Sequence, residues 1–107
     1  MQRFIQERFD ILIGLNDKDL MKQLMSTGAF VEIISNICEQ NKIGFSVKKM
    51  QGGYIMKNGK YITEESLHLI ITGITQEQAL HIADRIKQSF NQECVIVTKE
   101  LVETYIV

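Results

Sequence analysis

The chain has 107 residues, 45% of them hydrophobic and 23% charged, with a formal net charge of -1. That length suits one domain with a single buried core that needs no disulfide or metal staple. The near-neutral charge argues against a nucleic-acid partner and against an acidic nucleic-acid mimic. There is no proline, no low-complexity run and no Ser/Gly-rich linker, so residues 1–107 read as one α+β domain.

The opening MQRFIQERFD carries charges where a signal peptide would need an apolar stretch, and no apolar run approaches the ~18 residues of a membrane span. A cytoplasmic protein without membrane attachment is the expectation. Cys38 and Cys94 stand far apart in apolar surroundings and match no CxxC or zinc-ligand spacing. Both therefore read as reduced core thiols, with neither a metal site nor a cofactor implied.

From Arg8 to Gly14, Phe9, Ile11 and Ile13 alternate with Arg8, Asp10 and Leu12, the period of a strand with one buried side. Phe4 and Ile5 can extend it. Residues 16–26 have caps and charges but a poor apolar stripe, which predicts a loop with one helical turn at most. A helix is predicted from Ser26 or Thr27 to about Asn41, carrying Phe30, Ile33, Ile34, Ile37 and Cys38 at helical spacing.

Ile43 to Ile74 reads as one long β-hairpin. Thr75 and Gln78 then have capping-box spacing at the start of a second helix, whose stripe is Ala79, Ile82, Ala83, Ile86 and Phe90. Cys94 to Thr98 is β-branched, and Leu101 to Val107 is rich enough in strand formers to continue it or to form an extra C-terminal strand. This order predicts a ferredoxin-like βαββαβ fold: a four-stranded antiparallel sheet with two helices on one face.

Asn58-Gly59 has the chemistry of a two-residue turn, which would set Lys57 opposite Lys60. Continued without interruption, that register places Phe45 and Val47 on the face away from Leu67, Leu69 and Ile71. One extra residue in the first strand restores a common core, and Gly52-Gly53 is the expected site of that bulge. The register then leaves Leu12, Ile70 and Ile96 on the face opposite the helices, with Met50 toward the hairpin. These residues are candidates for a self-association surface that makes a homodimer or higher oligomer, against the plainer reading of a partly apolar open sheet. The tail bearing Tyr105 is a candidate for pairing with a neighbouring subunit's sheet edge.

Between Ile43 and Thr63 lie Lys48, Lys49, Lys57 and Lys60 with no acidic residue. They either protect an exposed hairpin from edge-to-edge pairing or attract an anionic small molecule, with Tyr54, Tyr61 and His68 as neighbouring stacking or hydrogen-bonding groups. No nucleophile, base and orienting acid can be assembled, and the adjacent Glu64 and Glu65 point to opposite faces. The expectation is a non-enzymatic homo-oligomeric module holding a nucleotide-like anion near the basic hairpin. The alternative is a protein-interaction module that blocks a host protein through its sheet face or C-terminal strand.

Phe9 to Asp19, FDILIGLNDKD, and Ser89 to Val97, SFNQECVIV, resemble segments of a family of short bacterial and phage proteins of unknown function. Asn91 and Cys94 stand where Gly and Ser are commoner in that family. The resemblance implies a phage or mobile-element origin and raises a counter-defence role as a prospect.

Overall fold

A computed structural model describes residues 1–107. In chain order the elements are β1 (Gln2–Gly14), α1 (Thr27–Gln40), β2 (Ser46–Ile55), β3 (Tyr61–Thr72), α2 (Gln76–Ser89) and β4 (Ile96–Ile106). All pairings are antiparallel, in the order β2-β3-β1-β4. The ferredoxin-like expectation holds.

Local chemistry sets the helix starts. The Ser26 hydroxyl accepts the Ala29 N–H at 3.2 Å, and Thr75 and Gln78 form a complete capping box, with reciprocal bonds of 3.1 and 2.8 Å. Ile34, Ile37 and Cys38 of α1 and Ile82 and Ile86 of α2 pack on the sheet residues Ile11, Ile13, Leu67 and Leu69 to make one core. Phe30 and Phe90 close one end, their ring centroids 4.6 Å apart. Neither helix is long and apolar enough to cross a membrane.

Two strands are longer than their apolar pattern. β1 begins at Gln2, and β4 runs unbroken to Ile106, pairing from Gln2↔Ile106 to Leu12↔Ile96. Main-chain pairing carries the ladder through Gln6 and Glu7, where no buried face is required. This β1/β4 ribbon passes one end of the helices, and the β2/β3 hairpin projects past the other, so the molecule measures 50 × 28 × 24 Å.

The hairpin corrects the predicted irregularity. Val47 does pair with Leu69 and Lys48 with His68, but the same register continues through Gly52↔Glu64 and Gly53↔Thr63 to Ile55↔Tyr61 without a bulge. The extra residue lies in the turn. Gly59 donates to the Met56 carbonyl at 2.9 Å, Met56 donates to the Lys60 carbonyl at 2.8 Å, and Gly59 takes φ +85°. A three-residue loop of this kind adds a left-handed glycine after a tight turn. Lys60 therefore faces Met56 and not Lys57.

Cys94 is also corrected. Cys38 is buried, but Cys94 is exposed, because it lies in the connection before β4 and not within a strand facing the core.

Candidate functional site

Past Gly14, β1 leaves the sheet while β2 and β3 continue. That departure opens a groove of about 930 Å³ on the face opposite the helices. Leu12, Met50 and Ile96 supply apolar surface, the outer hairpin from Gly52 to Asn58 makes one wall, and the loops at Asn16–Met21 and Gln92–Cys94 make the other. Its side chains include the carboxylates of Asp17, Glu64 and Glu93 against the ammonium groups of Lys18 and Lys57. The balance is acidic.

Glu64 projects onto this face because it pairs with Gly52, on the opposite side of the strand from Leu67 and Leu69. The Asn16 N–H donates to Glu64 Oε2 at 3.0 Å. Gly14 leaves room for the carboxylate, since a Cβ there would lie 2.5 Å from Glu64 Oε1. Tyr54 stands on the same face, where burial, and then the negative charge of Glu64, push its phenol above the usual value. Glu65 faces the helices and accepts a hydrogen bond from Thr27 Oγ1, as the alternation of the strand requires.

The second wall is tied down through Asp17. Its carboxylate accepts Asn91 Nδ2 at 2.8 Å and the N–H groups of Asp19 and Leu20 at 3.0 Å each. The Asn91 hydrogen bond, followed by those backbone donors, holds its carboxyl below the usual range. Gln92 Nε2 donates to the Asn16 carbonyl at 2.7 Å.

The structure divides the residues singled out in the sequence. Tyr54 and Lys57 border the groove with Leu12, Met50 and Ile96. Lys48 and His68 pair with each other farther along the same face, where His68 Nε2 donates to Asp10 Oδ1 at 2.5 Å and Ile70 is half-buried. Lys49 and Tyr61 have the parity of the helix side, where the Tyr61 hydroxyl lies against Gly53. Lys60 closes the hairpin loop opposite Met56. Tyr105 is at the far end of the β1/β4 ribbon, donating to Glu103. Sequence reasoning missed Glu64 as a site group, together with Gly14, Asn16, Asp17, Asn91 and Gln92. The available signal was the hairpin parity, which already set Glu64 and Glu65 on opposite faces.

No family model matches the sequence, and no curated protein does. Among solved structures, a phage SAM lyase in complex with S-methyl-5'-thioadenosine is similar, with a TM-score of 0.71 and 21% identity over 94% of this chain and 90% of that one. The apo state of a phage SAM lyase aligns over 99% of this chain and 95% of that one, with a TM-score of 0.70 and 22% identity. CPII, a PII-like protein from Thiomonas intermedia bound to ADP, AMP and acetate, has a TM-score of 0.58 and 11% identity over 99% of this chain and 94% of that one. The fold is thus shared with nucleotide-bound proteins and with a lyase. The expectation of a non-enzymatic module is corrected on this point: a chain of nearly the same extent and fold is an enzyme, so the lack of a recognisable nucleophile, base and acid set does not argue against catalysis.

Proposed function

We propose that the groove binds a sulfonium-bearing adenosine derivative of the S-adenosylmethionine class and that the protein acts on it as a lyase. The observation that carries this reading is the Glu64 carboxylate, fixed by the Asn16 N–H in a groove with apolar surface for a purine and an excess of negative side chains. A sulfonium keeps its charge at every pH, so a carboxylate already held in place favours its binding electrostatically. The similar phage lyase bound to S-methyl-5'-thioadenosine supports the choice of ligand class.

Cleavage of such a ligand needs no added water. The S–C bond to the four-carbon fragment breaks with its electron pair moving to sulfur, and the neutral thioether S-methyl-5'-thioadenosine leaves. The electron-deficient carbon left behind is satisfied either by closing on the fragment's own carboxylate, which leaves a lactone bearing the ammonium charge, or by loss of a neighbouring proton to give an alkene. Glu64 would be the base that takes the proton in the second route. Tyr54, on the same face, would hydrogen-bond the ligand.

The groove is open on the face that also carries Leu12, Ile70 and Ile96, so the proposal includes self-association over this face, with a second copy completing the enclosure. A second reading keeps the anionic nucleotide favoured by the basic hairpin: Lys57 stands at the groove's lip, and CPII, of the same fold, is bound to ADP and AMP.

Titration calorimetry with S-adenosylmethionine, S-methyl-5'-thioadenosine and ATP separates these readings. Glu64→Gln should weaken the sulfonium ligand by about tenfold or more, equivalent to ~1.4 kcal/mol, and leave S-methyl-5'-thioadenosine nearly unchanged. Binding of ATP alone, lost in Lys57→Gln, would favour the second reading.

A further inference from the structure

We propose that Asn91 is a positioning residue, whose side-chain amide locks the loop of residues 16–23 as the second wall of the groove. Asn91 follows the last turn of α2 with φ +49°, a left-handed conformation that asparagine tolerates better than most residues. From that corner its Nδ2 donates to Asp17 Oδ1 at 2.8 Å and to Asp19 Oδ2 at 2.9 Å. Its carbonyl accepts the Lys18 N–H at 3.1 Å.

One amide group therefore bridges two carboxylates that would otherwise repel each other. The loop closes on itself as well, with Asp17 N–H donating to the Lys22 carbonyl and Met21 N–H to the Asp17 carbonyl, each at 2.8 Å. Met21 takes φ +55°, a conformation costly for an unbranched L residue unless its surroundings hold it. The result carries Lys18 and Met21 to the groove. None of Asp17, Asp19 or Asn91 belongs to the core cluster, so the clamp can fail while the fold stands.

This inference rests on the groove being the ligand site, and the test separates the two. Asn91→Gly keeps the left-handed backbone and removes the amide; Asn91→Asp keeps the shape and adds a third carboxylate. In Asn91→Gly, amide exchange at Leu20 and Met21 should rise about tenfold or more while exchange in α2 and the central strands stays unchanged. The KM for S-adenosylmethionine should rise about tenfold with kcat altered less than about threefold, because the loop shapes the site without touching the reacting bond. Asn91→Asp should show the same rise in amide exchange at neutral pH, relative to wild type at the same pH, and lose it as pH falls toward the carboxylate range, where facing carboxylates share a proton. Unchanged exchange in Asn91→Gly, or faster exchange with unchanged KM, overturns the proposal. A wild type that neither binds nor cleaves the ligand overturns the reading of the groove instead, and the exchange measurement, which needs no ligand, still judges the clamp.

Discussion

The Glu64 carboxylate fills the space beside Gly14, coming within 2.5 Å of where a Cβ on that glycine would sit. Only a residue without a side chain lets β1 pass that close while the Asn16 N–H holds the carboxylate. Gly14→Ala should push Glu64 off this position. The obstructing atoms are the end of a flexible side chain, so stability should change by less than about 1 kcal/mol. Turnover of S-adenosylmethionine should fall about 10- to 100-fold, since a shift of an ångström at a reacting group has that effect. Full activity in the alanine variant would remove Glu64 from the site.

Asp10 and His68 join β1 to β3 on the outer face. Burial alone would raise the Asp10 carboxyl, but the hydrogen bonds from His68, at 2.5 Å, and from Arg8, at 3.2 Å, outweigh it and leave the pKa lowered. A depressed folded-state pKa contributes stability that is complete above the unfolded value near ~4 and disappears as pH falls through the folded value. Asp10→Asn should therefore cost about 1–3 kcal/mol at pH 7, and the difference from wild type should shrink in urea titrations below about pH 4. A pH-independent difference would contradict this account.

The position of the extra hairpin residue can be tested with alanine. Gly59 sits at φ +85°, so Gly59→Ala should destabilise by roughly 1 kcal/mol. Gly52 is regular strand, and a Cβ there would meet only Ser66 Oγ at 3.7 Å. Gly52→Ala should be neutral or slightly stabilising in the same denaturant titration. The reverse ranking would restore a bulge at Gly52-Gly53.

The two thiols should behave differently. Burial pushes the Cys38 thiol above its usual pKa and shields it, which makes it inert to thiol reagents, whereas Cys94 is exposed. A native protein should take up one equivalent of a chromogenic disulfide reagent quickly and the second only on unfolding. Rapid labelling of both would mean that the core opens easily.

The helices were legible because their signals are local: Ser26 and the Thr75–Gln78 pair each satisfy backbone donors within one turn. Hairpin parity was legible too, since Val47 and Leu69 had to share a face. It required an extra residue but could not locate it, because the glycine of Asn58-Gly59 serves both a two-residue turn and a three-residue loop with a left-handed glycine. The full length of β1 was hidden because Gln6 and Glu7 give no apolar alternation, and β4 holds them by main-chain bonds. The groove was hidden for a different reason. Asp17 and Asn91 are 74 positions apart and meet only after α2 packs on the sheet, and no local pattern in either segment announces the other.

The most direct measurement is the incubation of purified protein with S-adenosylmethionine, with products followed by liquid chromatography and mass spectrometry. The account predicts S-methyl-5'-thioadenosine in stoichiometric exchange for substrate, and a loss of about 100-fold or more in Glu64→Gln, the size expected when a charged group at the reacting centre is removed. Unchanged substrate with the wild type, or equal rates for wild type and Glu64→Gln, would contradict it.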